Sequence, residues 1–182
     1  MCDKECSVAL FKSRNKDNRN IAGFKSRKQV IFIDNSISED RLIRAFHDFA
    51  GQGVDGEVSR FYLAVNQRKY NKVKKALLIK LIQDDNIKLT DLNSLVCSIA
   101  MKPENAARKK WLFDLDDASR ADDFIADLQD VAGDNLCELY KTPNGCHVIV
   151  EHGFDCRWLL EKYQDCVELK RDAMRYVMSS VK

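Results

Sequence analysis

The order of patterns across residues 110–172 limits the fold of this chain more than any other feature. Residues 110–116 (KWLFDLD) read as a strand, apolar through Trp111, Leu112 and Phe113 and alternating from Phe113 to Asp116. Residues 119–132 follow, with Ser119 at a helix cap and Phe124, Ile125, Leu128 and Val131 on one helical stripe. Residues 136–142 and 145–151 are two further strand-length segments joined at Pro143-Asn144-Gly145, a hairpin composition. A short helix over 157–163 and a strand over 166–172 complete the series. The result is β-α-β-β-α-β, the ferredoxin-like (RRM-like) arrangement of the α+β class. Right-handed crossovers place its first and third strands in the middle of the sheet, with the fourth beside the first.

The first half is less regular. Residues 1–28 are polar and basic without a period and read as a basic, partly ordered arm. A strand is expected over 29–34. Ser38 caps a helix over 39–50, with Leu42, Ile43, Phe46 and Phe49 on one stripe. After a glycine-containing loop at 51–57, residues 60–66 read as a strand and 70–83 as a helix. The run 94–100 (SLVCSIA) reads as a strand, 102–110 as a basic loop, and 174–181 as an extension of the last strand or a further element. Residues 29–182 are then a single α+β domain. Its smaller N-terminal α/β module spans 29–100, packed with the RRM-like half over 101–182.

No run of 18 apolar residues is present, so no membrane span is expected. The first twenty residues lack a signal-peptide core, which points to the cytoplasm. Seven cysteines at irregular spacing argue against a disulfide scaffold. Cys2 and Cys6 make one loose pair with no second pair, short of what a zinc site needs. The cysteines are expected to be reduced, several of them buried as small apolar side chains. The formal net charge of +2 conceals segregation. Residues 60–83 carry seven Lys/Arg and no acid, whereas 111–138 carry nine acids and one Arg. A basic region beside an acidic cluster suits cations for phosphates and carboxylates for metal, although solvated helix faces produce such blocks too.

Strand alternation gathers the candidate chemistry. Phe113 and Leu115 face one way on the first strand, Asp114 and Asp116 the other. On the third strand Cys146, Val148 and Val150 oppose His147, and on the fourth Val167 and Leu169 alternate with Glu168, Lys170 and Asp172. Matching the apolar faces to the helices puts Asp114, Asp116, His147 and Asp172 together on the open face, an oxygen-rich set for Mg²⁺ or Mn²⁺. Lys170 shares that face and is available to pair with them in the absence of metal. Crowded carboxylates repel one another without a cation. Asp114→Ala or Asp116→Ala is therefore expected to abolish metal-dependent activity while leaving the fold intact or more stable.

WLFDLDD (111–117), TPNGCHVIV (142–150) and VELKRD (167–172) together resemble the three motifs of the archaeo-eukaryotic primase superfamily. The resemblance covers the second half, and it is to short virus- or plasmid-encoded forms. Gly-Cys-His stands here in place of the commoner Ser-x-His, and no zinc module or helicase domain accompanies it. The resemblance implies nucleotidyl transfer by two metal ions held by Asp114, Asp116 and Asp172, with His147 on the incoming nucleoside triphosphate. Lys141 and Asn144 flank the hairpin, within reach of phosphate or sugar. Arg60, Arg68, Lys72, Lys75, Arg108, Lys109 and Lys110 are candidates to track a single-stranded template, with salt-sensitive affinity. Tyr62, Tyr70 and Trp111 are candidates to stack bases, Trp111 equally a core residue. Replication proteins would be the partners.

Two other readings compete. FDLDD also resembles the nucleophile strand of haloacid-dehalogenase-like phosphatases, but that fold needs a parallel sheet where this chain has a hairpin. A non-catalytic RRM-like nucleic-acid binder, or a viral interaction protein with a degenerate site, fits the same topology. An RRM would display aromatics where this chain has carboxylates and a histidine.

Overall fold

The computed structural model describes residues 4–34 and 36–182, with the side chains of all but 134, 136 and 137. It is a mixed α+β structure in two compact units. Among the described residues no helix is long and apolar enough to cross a membrane.

The first unit comprises the chain up to Ala107 together with Val177–Lys182. Its sheet contains β1 (Glu5–Ser13), β2 (Arg27–Ile33), β3 (Val58–Ala64) and β9 (Met174–Val181) in the order β2-β1-β3-β9, and the short β4 (Arg68–Lys69) also pairs with β1. The expected N-terminal arm is thus corrected: β1 lies between β2 and β3, antiparallel to both. It is buried on both faces: Cys6 and Val8 on one, then Ala9, Phe11 and Ser13 at alternate positions on the other. Phe11 packs against Phe46, Phe49 and Phe61 at ring separations of 5.4, 5.9 and 5.1 Å. Burying each such ring stabilises the unit by about 2 kcal/mol.

Helix α1 (Glu39–Gly51) supplies Phe46 and Phe49 from the expected stripe, and Ser38 Oγ accepts the Arg41 amide at 3.4 Å as its cap. Helix α2 (Tyr70–Gln83) buries Val73. Residues 94–100 are not a strand but the body of helix α3 (Leu92–Ala100). A short apolar run carries no period long enough to separate the two states. Here Cys97, Ile99 and Ala100 turn inward while Asn93, Ser94 and Ser98 stay exposed, a helical division. The Asn93 side chain donates to the Val30 carbonyl at 2.7 Å, tying α3 to β2.

The second unit is Arg108–Tyr176. It contains β5 (Lys110–Leu115), α4 (Ala121–Ala132), β6 (Leu136–Lys141), β7 (Cys146–Glu151), α5 (Arg157–Lys162) and β8 (Val167–Lys170). The four strands form a sheet in the order β6-β7-β5-β8, every neighbouring pair antiparallel. Phe113, Leu115, Val148 and Val150 meet Phe124, Leu128, Leu159 and Tyr163 in one core. Asp117, rather than Ser119, starts the turn into α4: its Oδ1 accepts the Ser119 amide at 2.9 Å and hydroxyl at 2.7 Å. The Tyr163 hydroxyl donates to Asp127 at 2.6 Å, pinning α5 to α4. The last strand is shorter than expected, ending at Lys170, and the chain bends through 171 and 172.

Candidate active site

Antiparallel register decides which side chains share a sheet face. Asp114 lies opposite His147 on β7 and opposite Glu168 on β8, while Leu112 lies opposite Ile149 and Lys170. Tyr140 on β6 lies opposite His147. One face therefore carries Asp114, His147, Glu168, Lys170 and Tyr140, and the other carries the core. The expected open face is not open throughout: Leu112 and Ile149 are buried, and His147 is only 6% exposed.

Asp114 is the centre of this group. Lys170 Nζ forms a close ion pair with its Oδ2 and reaches Glu168 Oε2 at 3.2 Å, so one ammonium bridges two carboxylates on neighbouring strands. His147 Nε2 lies 3.2 Å from Asp114 Oδ1. The Tyr176 backbone N–H donates to His147 Nδ1 at 3.1 Å. A backbone amide is always a donor, so Nδ1 accepts and the ring proton sits on Nε2, donating to Asp114. Burial alone would raise the Asp114 carboxyl; hydrogen bonds from His147 and Lys170 outweigh it and bring it down to about 2. For Lys170, burial works to lower the ammonium, but its two carboxylate partners prevail and raise it.

The segment after β8 crosses this face. Arg175 stacks its guanidinium over the Tyr140 ring at 4.2 Å, one residue before the Tyr176 amide that holds His147. Tyr140 also donates to Glu138 in a close hydrogen bond, and Lys110 Nζ pairs with Glu138 Oε1 at 3.2 Å.

The structure joins some of the expected site residues and separates others. Asp114 and His147 touch. Asp116, just past β5, is exposed and holds Cys166 through its backbone amide at 2.9 Å. Asp172 is not carried to this group by alternation. Strand β8 runs away from Asp116 as it advances, ends at Lys170 opposite Leu112, and then bends. The carboxylate that register sets beside Asp114 is Glu168, which the sequence reading passed over. Lys170 is on this face as alternation expects, and Tyr140 and Arg175 are the members that motif spacing left unassigned. Among the described residues, no group of three or more His, Cys, Asp and Glu side chains is arranged to hold a metal ion. Cys2 lies outside the described residues; Cys6, Cys97, Cys146, Cys156 and Cys166 are free thiols.

Lys141 lies opposite Cys146, a core residue, and so belongs to the face away from His147. Asn144 is exposed in the turn. Arg68 is fully buried with 0% exposure, its Nη2 near the Met101 sulfur at 3.4 Å, which removes it from any template surface. Arg60 is paired with Asp17 at 2.6 Å. Lys72, Lys75, Arg108 and Lys109 are exposed. Trp111 packs against Phe154 at 5.6 Å, and Lys4 sits over the Tyr70 ring at 4.7 Å, so neither ring is a bare stacking platform.

Comparison with protein-family models, with curated proteins and with solved structures gives no match to this chain.

Proposed function

We propose that the chain is a metal-dependent nucleotidyltransferase of the primase-polymerase kind, built on a ferredoxin-like (RRM-like) unit over residues 108–176. The strand order β6-β7-β5-β8 with its two helices agrees with that topology. The observation that carries the reading is the Lys170 ammonium bridging Asp114 and Glu168, with His147 on the other Asp114 oxygen. Two carboxylates on adjacent strands already hold a cation between them, and Asp116 follows Asp114 by two residues. Hard oxygen donors of this kind fit Mg²⁺ or Mn²⁺.

Asp114, Asp116 and Glu168 are the residues that would hold the ions, with Glu168 replacing Asp172. Bound there, the ions would supply Lewis acidity toward a 3′-hydroxyl and toward charge on the α-phosphate and leaving pyrophosphate. His147 is a positioning residue that fixes the Asp114 carboxylate through Nε2–H, because both ring nitrogens are engaged. Lys170, released from the carboxylates, would turn to the triphosphate of the incoming nucleotide. Arg108 and Lys109, both exposed, remain for a single-stranded template.

The test is incorporation of labelled nucleotides on a single-stranded template with Mn²⁺. Wild-type protein is expected to extend or prime, and Asp114→Asn and Glu168→Gln are each expected to lose the activity. Removing the competing ammonium by Lys170→Met is expected to tighten Mn²⁺ binding by about tenfold, an offset of about 1.4 kcal/mol. A titration read by the Mn²⁺ paramagnetic resonance signal measures it; unchanged affinity would show that Lys170 does not compete with the ion.

A second reading, a non-catalytic RRM-like nucleic-acid binder, is favoured by one observation: both Asp114 oxygens are already satisfied within the chain. Template binding that ignores Mn²⁺, with no incorporation, would select it.

A further inference from the structure

We infer that the outer face of α2 docks an acidic segment of a partner protein that carries apolar anchors. Helix α2 packs inward through Val73, which is buried, with Leu77 and Leu81 partly buried beside it. Its opposite face carries Leu78, Ile79 and Ile82, which are 50%, 44% and 80% exposed. Together with Lys75 they fall at i, i+3, i+4 and i+7, one stripe of an α-helix. Such an outward apolar stripe is the kind of surface that marks an interaction site, whereas scattered single residues are not.

The charge around the stripe names the occupant. Residues 70–83 contain Lys72, Lys74, Lys75 and Lys80 and no acid. Lys80 pairs with Asp84 at 2.8 Å, just past the helix, and Lys72 reaches the Glu104 carbonyl at 3.5 Å. Lys74 and Lys75 are exposed and make no side-chain hydrogen bond or ion pair among the described residues. A partner that buries Leu78, Ile79 and Ile82 must therefore bring negative charge to these lysines, or leave them facing one another across a desolvated rim.

Nucleic acid fits this face less well. Lys72 and Lys75 were expected to follow a template backbone, but single strands are held by cations interleaved with aromatic rings. The side chains between these lysines are aliphatic and offer phosphate nothing. A lipid surface is met by an apolar face that runs the length of a helix, whereas here the outward apolar residues are confined to Leu78, Ile79 and Ile82 near its end. An amphipathic acidic peptide supplies both complements: carboxylates for the rim and leucine or phenylalanine for the stripe.

The experiment uses the full chain and a synthetic helical peptide of Glu, Asp and Leu, with leucines at i, i+3, i+4 and i+7, labelled for fluorescence anisotropy. Saturable binding is expected in low salt. It should weaken at least about tenfold with Ile82→Asp and with Lys74→Glu/Lys75→Glu. A peptide with serines in place of the leucines, and one with lysines in place of the acids, should not bind. These substitutions lie on the solvent side of α2, and thermal melting of each variant checks that the fold is retained. No binding of the acidic peptide would overturn the inference. So would binding that Ile82→Asp leaves intact while an oligonucleotide competes for the lysines. Concentration-dependent self-association abolished by Ile82→Ser, or binding of anionic vesicles in preference to the peptide, would equally replace it.

Discussion

Gly145→Ala is expected to destabilise the 108–176 unit by about 4 kcal/mol, a large part of the stability of an ordinary domain. A β-carbon at Gly145 would stand 1.9 Å from the Leu115 carbonyl oxygen and 2.9 Å from its carbon. Both belong to backbone, in the strand that pairs with β7 from Cys146 onward, so no side-chain rotation relieves the clash. The glycine serves closeness rather than an unusual torsion, since its φ is not positive. Thr142 closes the same turn: its amide donates to the Gly145 carbonyl at 3.0 Å, and its Oγ1 accepts the Gly145 amide at 3.1 Å. Gly51→Ala is the matched control, because a β-carbon there meets nothing within 4 Å and the change should be neutral or slightly stabilising. Thermal or urea unfolding of the two variants measures the contrast. Equal stability of Gly145→Ala and wild type would mean that β5 and β7 are not packed as described.

Asp114→Asn is expected to lower stability at pH 7 by about 2 kcal/mol, besides removing the proposed activity. The side chain is 16% exposed, so its interactions with Lys170 and His147 are only partly screened. Its carboxyl falls from an ordinary value of 3.8 to about 2 on folding. A depressed carboxyl contributes stability that is complete above about 4 and disappears as the pH falls through about 2. The gap between wild type and variant should hold from pH 7 to about 4 and close below that. Paired unfolding curves across this range measure it. A gap of the opposite sign, with Asp114→Asn the more stable, would restore the expectation from sequence that this carboxylate is repelled by its neighbours.

That expectation rests on repulsion between carboxylates, whereas in the folded chain Lys170 and His147 take up both Asp114 oxygens. Alternation correctly put Asp114, His147 and Lys170 on one face because each lies within a strand long enough to have a period. Asp172 was assigned by extending the same alternation two residues beyond Lys170, across a bend that the sequence VELKRD does not announce. Glu168 was visible throughout as an exposed strand residue. Its place beside Asp114 follows from the pairing of β8 with β5, a relation between segments more than fifty residues apart that no local signal encodes. Strand β1 was missed for a related reason. The buried alternation of ECSVALFKS is short and is followed by a basic stretch, so the region read as a charged arm. Helix α2, by contrast, is legible from end to end, because Val73, Leu77 and Leu81 repeat at helical spacing on its inward side.

Asp114 and Glu168, on adjacent strands, are the proposed cation site for nucleotidyl transfer. Titration of Mn²⁺ in the presence of a nucleoside triphosphate, read by paramagnetic resonance on wild type, Glu168→Gln and Asp172→Asn, tests it most directly. A saturable site is expected in the wild type, weakened about a hundredfold by Glu168→Gln and unchanged by Asp172→Asn. No saturable site in the wild type, or loss with Asp172→Asn while Glu168→Gln still binds, would contradict it.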